Sequence, residues 1–179
     1  MKALVVYESL WGNTAAVARA IAEGLGPGAE AMSTAEVSSD RMSGVDLVVA
    51  GCPVHSMSMP SEKSRDQARK GAGGSGGAPP DLSHPSLRAW LAGLPRGDGA
   101  GAAFDTSVDA WYGRGAGKRI ARGLRRAGYE PLAPPESFHV AGRKVVPSGD
   151  GMLLDGELDR AREWGAGLAR RMAKRVEGD

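Results

Sequence analysis

The sequence predicts an α/β fold with a doubly wound parallel sheet, and three observations carry the prediction. Ala3–Tyr7 (ALVVY) is apolar without alternation, as expected of a strand buried on both faces. Val17, Ile21 and Leu25 then recur every four residues with Ala18 and Ala22 beside them, which makes one apolar helix face. Val45–Gly51 (VDLVVAG) is a further run apolar enough to be central in a sheet. Strand and helix alternate through this first part of the chain, which is the pattern of βαβ units.

Taken in order, the first helix ends at Gly26-Pro27-Gly28, where Gly closes the last turn and Pro cannot continue it. Ala29–Met32 reads as a short second strand, and Thr34–Met42 as a small helical or irregular piece. After the third strand, Ser61–Lys70 is densely charged with room for a helical turn or two, and Gly71–Gly77 is low-complexity. The stretch around 61–80 is therefore read as a flexible, Gly-rich surface insertion, with a lid as the functional option. Its G-x-G-x-x-G match has neither a strand before it nor a helix after it, so it carries no nucleotide-binding meaning.

Ser83 or His84 is read as the cap of the next helix, Ser86–Leu94, which buries Leu87, Trp90, Leu91 and Leu94. Gly99–Thr106 is the fourth strand, and Ser107–Gly117 a loop beyond it. A helix running to Ala127 turns Ile120 and Leu124 inward. Lys118, Arg119, Arg122, Arg125 and Arg126 cover its remainder as a solvated face, or else as a dock for an acidic partner or a cofactor phosphate. Tyr129–Leu132 begins the last strand, Pro134-Pro135 interrupts it, and Glu136–Val140 resumes it. Gly149–Gly151 turns the chain, and Asp155 or Gly156 caps a final helix with Leu158, Ala161, Gly165, Leu168 and Met172 as its packed stripe.

Length and composition bound the function. A chain of 179 residues suits a single domain over 1–179, because domains commonly hold ~100–200 residues. No apolar run approaches the ~20 residues that span a bilayer, so no membrane role is expected. Met1-Lys2 leads straight into a strand, without the features of a signal peptide. The single cysteine, Cys52, excludes an internal disulfide framework and any zinc or iron–sulfur site built on cysteines, and it fits a cytoplasmic location. A net charge of +2 gives no case for nucleic acid, whose binders concentrate a basic stripe.

Chemistry is expected at the carboxyl ends of the strands, where open parallel sheets bind ligands. Glu8-Ser9-Leu10-Trp11-Gly12-Asn13-Thr14 joins the first strand to its helix. Its two hydroxyls, its glycine and the helix N-terminal amides make a cradle for a phosphate. It is not a P-loop, because no Gly-Lys-Ser/Thr follows, and the second and third glycines of a dinucleotide fingerprint are missing. Cys52–Pro60 and Ser107–Gly117 are the loops that share this edge of the sheet. His55 reads as a loop histidine bonded to backbone or ligand, with a proton donor as the alternative.

Ser9, Gly12, Asn13 and Thr14 resemble, residue for residue, the FMN-phosphate loop of flavodoxins, which usually reads Ser/Thr-x-Thr-Gly-x-Thr. Trp11 stands where that family commonly has a third hydroxyl. The Gly51-x-Pro53 opening of the second loop is similar too, although the aromatic that the family places there is missing. The resemblance implies a flavodoxin-like three-layer sandwich, with a five-stranded parallel sheet in order 2-1-3-4-5 and helices on both faces. It implies FMN as cofactor, with the phosphate on Ser9, Asn13 and Thr14 and on the amides of Leu10, Trp11, Gly12, Asn13 and Thr14. Pro53, Val54, His55 and Ser56, together with Thr106 and Ser107, are then expected along the ring through their backbone. Val54, His55, Met57 or Met59 has to supply the packing. Asp105 looks like the family's acid near the end of the fourth strand, and Trp111 and Tyr112 like candidates for the stacking aromatic.

Two functions follow from the resemblance: an electron carrier between redox partner proteins, a reductase and an acceptor, or an FMN-dependent NAD(P)H oxidoreductase acting on a quinone or another small acceptor. Against the carrier stands the charge, because flavodoxins are typically acidic and this chain has a pI of about 8.8. A third reading is a fold of this kind that has lost its cofactor and serves as a binding module.

Overall fold

The computed structural model describes residues 1–72, 79–108, 115–141 and 153–178. The chain runs β1 (Ala3–Tyr7), α1 (Asn13–Leu25), β2 (Ala29–Ser33), α2 (Ser39–Met42), β3 (Leu47–Pro53), α3 (Glu62–Ala72), α4 (Leu87–Ala92), β4 (Ala100–Val108), α5 (Ala116–Arg126), β5 (Glu130–Pro131), β6 (Glu136–Val140) and α6 (Glu157–Gly178). The sheet is parallel throughout, in the order β2-β1-β3-β4-β5, and β6 also pairs with β4.

The described sheet therefore has six strands, where the resemblance implies five. β5 lies against Ala100 and Gly101, and β6 against Phe104–Val108. Pro134 and Pro135 have no N–H to give the ladder, so the edge breaks between the two segments. β1 sits between β2 and β3, with Tyr7 opposite Gly51, so the loops after β1 and β3 leave the same edge side by side.

Alternate residues of each central strand feed two cores. Val5, Val49 and Phe104 pack against Val17 and Ile21 of α1 and Ala161 and Leu168 of α6 on one face. Val6, Val48 and Ala50 pack against Leu87 of α4 and Ile120 and Leu124 of α5 on the other. Glycine lets α1 and α6 touch backbone to backbone. A Cβ on Gly24 would lie 2.0 Å from the Arg162 carbonyl oxygen, and one on Gly165 would lie 2.3 Å from that of Ile21.

Helix α4 differs from its sequence expectation. Its cap is Ser86, whose hydroxyl accepts from the Ala89 N–H at 3.2 Å. Ser83 cannot serve, because both its N–H and its hydroxyl donate to the Asp81 carboxylate, and the His84 ring turns toward Ser9. The helix ends at Ala92, with Leu87 buried and Trp90, Leu91 and Leu94 only partly so. Among the described residues no helix is long and apolar enough to cross a membrane.

Candidate functional site

The turn between β1 and α1 is shaped by Gly12, which takes the left-handed conformation at φ 87° that an L side chain resists. Its carbonyl accepts the first helical bond, from Ala16 at 2.9 Å, and no side chain caps the helix there. The leading amides of α1 thus present a partial positive charge at the carboxyl edge of the sheet. Ser9 is buried, and its hydroxyl has no hydrogen-bond partner among the described residues. A buried unpartnered hydroxyl is unfavourable by ~1–3 kcal/mol, which makes Ser9, beside the start of α1, a candidate binding group. The Thr14 hydroxyl meets that of Thr106 at 2.8 Å, which ties the start of α1 to β4 and leaves each oxygen further bonding capacity.

The loop after β3 closes on the same edge. Val54 N–H donates to the Thr106 carbonyl at 2.9 Å. His55 and Ser58 exchange both backbone bonds, at 2.8 and 3.0 Å, around Ser56 and Met57. Those two residues have φ of 50° and 59°, so this is a two-residue turn of the kind that normally calls for Asn and Gly. Gly115, just before α5, approaches it closely: a Cβ there would lie 2.5 Å from the Met57 carbonyl oxygen.

Of the expected packing residues, Met59 is buried in the α4–α5 core and Met57 points out, 57% exposed. The rings of His55 and Trp11 lie 6.1 Å apart at 36°, so the first two loops meet through them. Burial, and next the charge of Arg65, push the His55 imidazole below its ordinary pKa, so the ring is neutral at neutral pH.

Asp105 is buried at the end of β4, and its carboxylate accepts from the Gly117 N–H at 2.8 Å. It caps the start of α5. Its second oxygen has no partner among the described residues, and burial raises its pKa despite the Gly117 bond. Ser107 and His139, opposite each other on β4 and β6, also keep a buried polar atom without a described partner. Trp111 and Tyr112 lie outside the described residues.

Sequence reasoning missed the residues that brace the first loop from behind. Glu8 has no exposure, is ion-paired with Arg65 of α3, and accepts from the Leu87 N–H at 2.8 Å. The Arg65 guanidinium also donates to the His84 carbonyl at 2.6 Å. The His84 ring N–H donates to the Ser9 carbonyl at 3.1 Å, and the Asp81 N–H to that of Leu10 at 2.8 Å. The charged half of the segment read as a loose insertion is thus an eleven-residue helix bonded to the back of the candidate site. One signal was available: a carboxylate that ends a strand buried on both faces requires a counter-charge.

No protein-family model matches the chain, and no curated protein is similar to it in sequence. Solved structures do resemble it. A flavodoxin from the domain Archaea superposes with a TM-score of 0.63 at 23% identity, over 97% of this chain and 99% of that one. The oxidised Flavodoxin 2 of Bacillus cereus gives 0.60 at 15%, over 98% and 99%. A WrbA-like flavodoxin of Agrobacterium tumefaciens gives 0.57 at 18%, over 97% and 98%. With the strand order, the helices on both faces and the coverage of nearly the whole chain, the protein has the flavodoxin-like fold.

Proposed function

We propose that the loops at the carboxyl edge of the sheet bind FMN and that the protein is an electron-transfer flavoprotein working between a reductase and an acceptor protein. The observation that carries this reading is the Ser9 hydroxyl, buried and without a described partner, in the turn leading to the uncapped start of α1. The phosphate of FMN supplies the acceptor that this hydroxyl lacks. Ser9, Asn13 and Thr14, with the amides of Leu10–Thr14, hold the phosphate. No Lys or Arg lies in the turn, so amides and the helix dipole provide the attraction.

FMN, when bound, supplies reversible one- and two-electron chemistry at its ring. The backbone of Pro53–Ser56 and of Thr106 lines the ring, Trp11 and His55 flank the entrance, and the neutral His55 side chain adds no charge there. Titration of the full chain with FMN, followed by quenching of flavin fluorescence and by the visible absorption of freshly purified protein, tests the reading. Saturable quenching is expected. Its absence in excess FMN overturns the proposal.

The basic balance of the chain, pI about 8.8, favours keeping a second reading, an FMN-dependent NAD(P)H oxidoreductase. Steady NADPH consumption by the flavin-loaded protein with a quinone would identify the enzyme. A single flavin reduction without turnover would identify the carrier.

A further inference from the structure

A groove of about 470 Å³ runs between α4 and α5, on the face of the sheet away from α1. Arg88 and Arg96 stand on one side, and Arg119, Arg122 and Arg126 on the other. No carboxylate lines the groove, and none of these arginines is ion-paired among the described residues. Arg119, Arg122 and Arg126 follow one another at helical spacing, so like charges share one face of α5, an arrangement that opposes folding. Leu91, Leu94 and Met59 form the apolar floor. A Cβ on Gly123 would lie 3.2 Å from Leu91, so a glycine there keeps α4 and α5 close.

We propose that this groove docks an acidic, amphipathic surface of a partner protein. The five arginines are exposed and spread over α4, the segment that follows it and α5 rather than converging on one buried point, which suits a row of carboxylates better than a single small anion. The apolar floor requires apolar side chains from the partner, which a phosphate backbone lacks. The net charge of only +2 is not the footprint of a nucleic-acid binder.

Arg88 ties the groove to the candidate site. It donates to the Met59 carbonyl at 3.1 Å, in the loop whose other end carries His55. A partner seated on Arg88 therefore bears on the loop after β3, which also carries His55. Docking itself stands on the groove alone, whereas its use for electron exchange rests on the FMN reading above.

The test uses the full chain, with and without FMN, and a fluorescein-labelled synthetic helix of glutamates with a leucine at every third or fourth position, read by anisotropy. Wild type is expected to bind it, and Arg119→Glu with Arg122→Glu to weaken binding by roughly tenfold or more. Loss of two rim charges as Arg119→Gln with Arg122→Gln should weaken it by about threefold, and circular dichroism checks that both variants are folded. Replacing the peptide leucines with serine should also weaken binding, by several-fold.

Equal affinity for wild type and the charge-reversed protein overturns the proposal. So does equal affinity for the leucine-free peptide. A DNA oligonucleotide or phosphatidylserine vesicles that bind as tightly, with the same arginine dependence, would reassign the groove. Peptide binding by a protein that takes up no FMN upholds the dock and removes the flavin reading.

Discussion

Arg65, on a helix with no apolar face, is ion-paired with Glu8, a carboxylate that has lost all contact with solvent at the end of β1. The pair joins α3 to the strand that leads into the candidate phosphate turn. Removing one partner of a buried pair strands the other charge, which costs about 3–5 kcal/mol. Arg65→Met is therefore expected to lower the unfolding free energy by that amount in urea denaturation, while Glu8→Gln with Arg65→Met loses less than Arg65→Met alone. An Arg65→Met protein within about 1 kcal/mol of wild type would mean that the pair holds nothing in place.

Ser9→Ala separates a structural hydroxyl from a ligand-binding one. A hydroxyl with a protein partner would cost stability when removed. This one has no described partner, so its removal should leave the urea midpoint unchanged or slightly higher. If the FMN reading holds, the same substitution should weaken FMN binding by roughly tenfold, since a bond to a charged acceptor is worth about 1.5–3 kcal/mol. A variant that is destabilised yet binds FMN normally would assign Ser9 to the fold.

Much of the architecture was legible because it is local. Val17, Ile21 and Leu25 repeat at the helical period, and all three are buried in α1. The runs through Ala3–Tyr7 and Leu47–Gly51 are apolar because both of their faces are covered. The sheet order has no such trace, and it followed only from the resemblance of Ser9 and Gly12–Thr14 to a known loop. Helix α3 was illegible for the opposite reason. Its sequence, EKSRDQARKGA, buries no apolar stripe, and Arg65 finds Glu8 across a separation of 57 residues. Asp105 was visible as an acid at the end of a strand. That it caps α5 through the Gly117 N–H depends on where a later helix begins.

The turn after β3 stores strain. Ser56 and Met57 both sit in the left-handed region, which costs an L residue roughly 1–2 kcal/mol. Asn followed by Gly is the pair that this turn geometry prefers. Ser56→Asn with Met57→Gly is expected to raise the unfolding free energy by about 1 kcal/mol, part of the gain being offset by the greater freedom of glycine in the unfolded chain. Loss of stability in urea denaturation would mean that the Ser56 and Met57 side chains make contacts that outweigh the backbone cost.

The Asp105 carboxyl makes a pH-dependent contribution whose sign follows from its surroundings. Burial raises its pKa above the ordinary 3.8, against the opposing effects of the Gly117 N–H, Ser137 and His139. The folded protein therefore holds this proton at a pH where the unfolded chain has released it. Its contribution to stability is fully present below 3.8 and is lost as the pH rises through the raised folded value. At neutral pH the buried carboxylate opposes folding. Asp105→Asn keeps an oxygen to accept from Gly117 and removes the titration. Measured by urea unfolding across a pH series, the stability of the variant relative to wild type should be greatest near neutrality and should decline as the pH falls to 3.8. A difference that is flat with pH, or that grows toward acid, would mean that the carboxylate is stabilised in the folded state, with the α5 N-terminus outweighing its burial.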